Sequence, residues 1–85
     1  MKLKDSFITY NTDSDQIMVS GAGDFNGMVR SNKTAAYIID LLKNDVTVDE
    51  IVSAMLVRYD APQEIIRRDV DKIITALRGI GALDE

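Results

Sequence analysis

Three glycines within seven residues, in Gly21-Ala22-Gly23-Asp24-Phe25-Asn26-Gly27, are the first groups whose type and spacing invite chemistry. Glycine-rich turns can cradle a phosphate on backbone amides, but a dinucleotide fingerprint must open a helix whose N-terminus meets the pyrophosphate. Here the spacing is G-x-G-x-x-x-G and it leads into the short apolar run Met28-Val29-Arg30. The glycines therefore read as turn formers, with Asn26-Gly27 a dipeptide that accepts positive φ. Asp13, Asp15 and Asp24 can be drawn as a calcium loop, yet the loop glycine and the closing bidentate glutamate are missing, which leaves solvated turn carboxylates.

The chain has neither cysteine nor histidine. That removes disulfides, thiolate nucleophiles, thiolate or imidazole metal ligands and imidazole acid–base chemistry together. Near the C-terminus Glu64, Asp69 and Asp71 interleave with Arg67, Arg68 and Lys72, a mixture typical of a solvated helix face rather than of a paired acid and base. No cofactor, metal or enzymatic activity is expected. The basic residues Arg67, Arg68, Lys72 and Arg78 raise an alternative, a winged-helix DNA reader whose third helix enters the major groove. Charge argues against it: the net charge is −4, and residues 44–85 carry nine acidic against five basic side chains. Nucleic-acid affinity needs cations that displace phosphate counterions, so nucleic acid is not an expected partner.

These residues need a scaffold, and 85 residues allow one core, here supplied by a 46% apolar content in patterned runs. A single domain over residues 1–85 is expected. Met1-Lys2-Leu3-Lys4-Asp5-Ser6 lacks the apolar stretch of a signal peptide, and no run approaches the ~20 apolar residues of a membrane span, so the expectation is a cytoplasmic protein without a membrane partner.

The hydrophobic period changes near residue 31. Phe7-Ile8-Thr9-Tyr10 and Gln16-Ile17-Met18-Val19-Ser20 read as a hairpin about the turn formers 11–15, and Met28-Val29-Arg30 reads as a short third strand. Three helices follow. Asn32 can cap the first, whose stripe is Ala35, Ala36, Ile38, Ile39, Leu41 and Leu42. Thr47-Val48-Asp49-Glu50 is a capping box opening the second, with Ile51, Val52, Met55 and Leu56 on one face. Pro62 opens the third, which runs through Ile65, Ile66, Val70, Ile73, Ile74, Leu77 and Ile80 until Gly79 and Gly81 stop it.

In such a meander the third strand has one unpaired side, ready to hydrogen-bond an added strand, and only Arg30 guards it with charge. The apolar arc of the third helix is wider than one seam: Ile66, Val70 and Leu77 lie near its centre, with Ile73 and Ile74 on opposite flanks. One flank is available to a guest.

From Asp24 onward the chain resembles the PqqD-like family, also described as the RiPP recognition element. The resemblance rests on Phe25-Asn26-Gly27 before Met28-Val29-Arg30-Ser31-Asn32, on Thr34 to Leu42, on Thr47-Val48-Asp49-Glu50-Ile51, on Tyr59-Asp60, on Arg68-Asp69-Val70, and on Leu77 with Gly81-Ala82-Leu83. It implies an α+β, winged-helix-like fold, a three-stranded antiparallel sheet followed by three α-helices. It also implies a non-catalytic adaptor that holds the leader of a ribosomally made precursor peptide and presents it to a maturation enzyme, often a radical SAM enzyme. By position, the guest would add as a strand to Met28, Val29 and Arg30, with Gly27 allowing close approach. Asp69, Val70, Ile73 and Leu77 would line the opposite wall. The chain departs from the family pattern at Ser31, where an apolar residue is common, and at Ala36 and Ile39; Ser31 bears on the groove end and the peptide preferred. A structural subunit of a maturase complex, its edge strand permanently covered, is the remaining alternative.

Overall fold

The computed structural model describes residues 1–13, 15–20 and 28–85, with Met28 and Val29 described by backbone alone. The glycine turn, with the expectations placed on Gly21, Gly23, Asp24 and Gly27, lies outside the described residues.

A short strand β1 (Lys2–Leu3) is followed by the hairpin β2 (Phe7–Asn11) and β3 (Gln16–Ser20), then by β4 (Met28–Ser31). Alternation sets the hairpin register: Phe7 pairs with Ser20 and Asn11 with Gln16, which turns Phe7, Met18 and Gln16 inward. The turn is closed by the Thr12 amide donating to the Asp15 carbonyl at 2.8 Å and by the Asp15 amide donating to Thr12 Oγ1 at 2.9 Å. On the outer face Ile8 and Tyr10 stay exposed, opposite Val19 and Ile17. β4 pairs antiparallel with β3 from Gln16↔Ser31 to Val19↔Met28, giving the sheet order β2-β3-β4.

Helices α1 (Lys33–Leu41), α2 (Val48–Arg58) and α3 (Gln63–Gly79) then pack over the inner face. Each begins where its local chemistry requires. Asn32 accepts from the Ala35 amide at 2.9 Å, and the Thr47–Glu50 box forms both reciprocal bonds, at 3.0 and 3.1 Å. Pro62 occupies the N-cap of α3. At its end, Gly81 takes φ 71° while its amide donates to the Arg78 carbonyl and the Ala82 amide to the Leu77 carbonyl, a Schellman stop. Ile38, Ile39, Leu42, Ile51, Met55, Ile66, Val70 and Ile74 form the core with Phe7 and Met18. Two stripe positions differ from expectation: Leu56 and Ile65 are exposed, since an arc wider than the facing surface leaves its margins in water.

The chain ends form an element that no periodicity announces. β1 pairs antiparallel with β5 (Leu83–Asp84), Lys2 opposite Asp84 and Leu3 opposite Leu83. The ribbon is tied to α1 by the Leu3 amide, which donates to the Leu42 carbonyl at 2.7 Å. Leu3 and Leu83 extend the core beneath it. Among the described residues no helix is long and apolar enough to cross a membrane.

Candidate functional site

β4 is an edge strand. It pairs with β3 on one side, and among the described residues no strand pairs with the other. Along that open side runs a groove of about 530 Å³, lined by Arg30, Ser31, Asn32, Thr34, Ala35, Ile38, Asp69, Lys72, Ile73 and Ala76. Its near wall is the end of β4 and the first turns of α1, and its far wall is one face of α3.

The far wall follows from helical geometry. Asp69, Lys72, Ile73 and Ala76 stand at i, i+3, i+4 and i+7, one stripe of an α-helix. Each of Val70, Ile74 and Leu77 follows a wall residue by one position, a turn of about 100° that carries it into the core. Val70, Ile74 and Leu77 are 0%, 2% and 3% exposed, whereas Asp69 and Ile73 are half-buried. Of the eight residues expected at the site, Arg30, Asp69 and Ile73 line the groove directly. Met28 and Val29 supply backbone to the edge strand. Val70 and Leu77 support the α3 wall from beneath, and Gly27 lies outside the described residues.

Sequence reasoning does not pick out Lys72, Ala76, Asn32, Thr34, Ala35 or Ile38 as lining residues. For Lys72 and Ala76 the signal was present, since both share the helical stripe of Asp69 and Ile73. Ala35 and Ala76 matter through their small size, because the hollow between α1 and α3 exists where those side chains are short. Nothing local in the sequence reveals that the two alanines face one space.

The groove carries both signs of charge. Arg30 Nε lies 3.6 Å from an Asp15 carboxylate oxygen and its side chain is mostly exposed. Asp69 and Lys72 form no ion pair among the described residues, which leaves one anion and one cation available on the far wall. Elsewhere on α3 two basic residues are engaged: Arg67 donates to Asp49 at 2.8 Å and Arg78 to Glu85 at 2.7 Å. Two of the four cations that raised the DNA-reader alternative are thus neutralised within the molecule. Among the described residues no group of three or more acidic side chains is placed to hold a metal ion.

An open sheet edge bordered by a helical wall defines a class of domain able to take an extended segment as an additional strand. The chain belongs to the coenzyme PQQ synthesis protein D (PqqD) family, whose model matches residues 9–83. No curated protein matches the sequence significantly. Two solved structures share the fold. One is TbiB1 in complex with the TbiA(beta) leader peptide, with a TM-score of 0.81 at 20% identity over 99% of this chain and 100% of that one. The other is lasso peptide synthetase B1 complexed with the leader peptide, with a TM-score of 0.78 at 20% identity over 95% of this chain and 93% of that one.

Proposed function

We propose that this chain is a non-catalytic adaptor that binds the leader of a ribosomally synthesised precursor peptide and presents it to a maturation enzyme. The leader adds as a strand to β4 and lays alternate side chains into the groove against α3. The observation that carries this reading is the position of β4, which among the described residues is unpaired on the side where the groove lies. Backbone hydrogen bonds to such an edge supply affinity that depends little on sequence, and the groove supplies selection. Family membership and the two leader-bound structures of the same fold support it. The adaptor acts as one recognition domain over residues 1–85, in the cytoplasm, where a ribosomal product first becomes available.

Titration of isotopically labelled protein with a leader peptide encoded by a neighbouring gene tests the reading through amide chemical shifts. Shifts concentrated on β4 and on the Asp69–Ala76 face of α3 are expected. Shifts confined to the outer surfaces of α1 and α2, or none, would overturn it.

A further inference from the structure

Gln16 and Ser31 are the buried polar residues among those described, at 0% and 7% exposure, and they are direct cross-strand partners on β3 and β4. The Gln16 carboxamide is half used. Its Nε2 donates to Asn11 Oδ1 at 3.3 Å and to Asp40 Oδ1 at 3.1 Å, tying the hairpin to α1. Its Oε1 is buried and has no hydrogen-bond partner among the described residues. Asn11 belongs to β2 and Asp40 to α1; both bonds are made by Nε2 and neither uses Oε1. On the other flank of β3 stands Ser31, whose side chain lines the groove. A buried acceptor left unpaired carries a standing free-energy cost, and the tie to Asp40 accounts for Nε2 but not for Oε1 or the serine.

We propose that Gln16 and Ser31 form a polar subsite of the groove that selects a neutral hydrogen-bond donor, a hydroxyl or carboxamide side chain, on the bound peptide. This rests on the reading of the groove as a leader site. Side chains directly opposite in an antiparallel pair have Cβ atoms ~5 Å apart, within reach of a serine hydroxyl and a glutamine amide after rotation about χ1. A hydroxyl has one proton to donate and two lone pairs to accept with. On peptide binding, rotation of Ser31 about χ1 directs its proton inward to Gln16 Oε1, and its oxygen then presents only acceptor character to the groove. The matching guest group must therefore donate. A carboxylate has no proton to give, and a cationic donor meets two cations, Arg30 and Lys72, against the one carboxylate of Asp69 on the same groove. An apolar side chain leaves the Ser31 oxygen unpaired. Neutral donors remain.

The test is selection of a displayed library of random 15-residue peptides against the wild-type chain, Ser31→Val and Gln16→Met, with amide shifts used to locate each selected peptide. The wild type is expected to enrich Ser, Thr, Asn or Gln at one position, and Thr→Val there to weaken binding about tenfold. Ser31→Val should exchange that preference for Val, Ile or Leu and leave the other positions unchanged. Gln16→Met frees the serine proton to point outward, so Asp and Glu should join the accepted set. The Gln16 Cδ carbon resonance should move when the donor peptide binds the wild type and stay still with its Val counterpart. Peptides that shift β4 and α3 but show the same preference with wild type and Ser31→Val would overturn the subsite alone. Peptides that bind elsewhere, or no enrichment at all, would overturn the leader reading and the subsite together.

Discussion

Among the described residues β2 and β4 each pair with β3 alone, so the sheet has two open edges, but the edges are bordered differently. Beside β2 lies a hollow of about 350 Å³ lined by Leu3, Lys4, Asp5, Phe7, Ile8, Thr9 and Lys43. Two lysines stand there, and the first amide of the strand is already used, Phe7 donating to the Lys4 carbonyl at 3.0 Å. Lysine beside an edge is a common guard against pairing, because a guest strand would have to strip water from its ammonium. β4 instead faces a helical wall with a half-buried isoleucine, a small alanine and two charges of opposite sign, Asp69 and Lys72, that form no ion pair among the described residues. An open edge offers the same backbone to any strand. It becomes a selective site only where a second element supplies side-chain contacts across the gap.

Proline substitution is the most severe way to break the contrast. In an antiparallel edge strand neighbouring amides alternate, one facing the partner strand and the next facing out. Of Val29→Pro and Arg30→Pro, the outward-facing one should keep the fold, judged by circular dichroism, and abolish leader binding in calorimetry. Of Ile8→Pro and Thr9→Pro, the outward-facing one should leave binding unchanged. Loss of binding from the β2 proline would make the two edges equivalent.

Substitutions at Ile73 and Ile74 sharpen the contrast within α3. Ile74→Ala should cost about 3 kcal/mol in denaturant unfolding, the usual range for emptying a packed isoleucine site. Ile73→Ala should cost about 1 kcal/mol, since part of its surface is already in water. Ile73→Lys should nevertheless weaken leader binding strongly with little change in thermal midpoint, because it places a solvated charge on the groove wall. Equal losses of stability at the two positions would contradict the assignment of one to the wall and the other to the core.

Smaller effects should register in stability alone. Thr47→Ala removes one of the two reciprocal bonds that open α2 and should cost about 1 kcal/mol, with leader affinity unchanged because α2 borders neither edge. The weakest concerns pH. Arg78 donates hydrogen bonds to Glu85 at 2.7 and 3.0 Å, which holds that carboxyl below its ordinary value, with the arginine's charge adding to the effect. A carboxyl whose folded value is depressed stabilises the fold fully above its unfolded value and loses that contribution as pH falls through the folded one. The thermal midpoint should therefore decline slightly more on acidification for the wild type than for Glu85→Gln, and the pH dependence of leader binding should be the same for both.

Much of the fold was legible in the sequence, and the illegible part has a common cause. The strands at 16–20 and 28–31, the Asn32 cap, the Thr47–Glu50 box and the glycine stop of α3 all depend on residues within a few positions of one another. Placing Val70 and Leu77 on the groove wall with Asp69 and Ile73 joins two faces that a helix holds about 100° apart. Which face meets the core depends on how α3 is rotated against α1 and the sheet. The β1–β5 ribbon was invisible for a related reason: two-residue strands have no period, and their partners lie at opposite ends of the chain.

The sequence alone determined where the strands of the meander and the three helices begin, that this meander precedes the helices, and that its third strand would have an open side, because caps, turns and alternation act through neighbouring residues. Only the tertiary structure decided which face of α3 looks across at β4, that Ala35 and Ala76 leave a hollow between them, and that Gln16 and Ser31 share a buried border. Those facts depend on the rotation and separation of packed elements, which are set by the fit of the whole core rather than by any local run of residues.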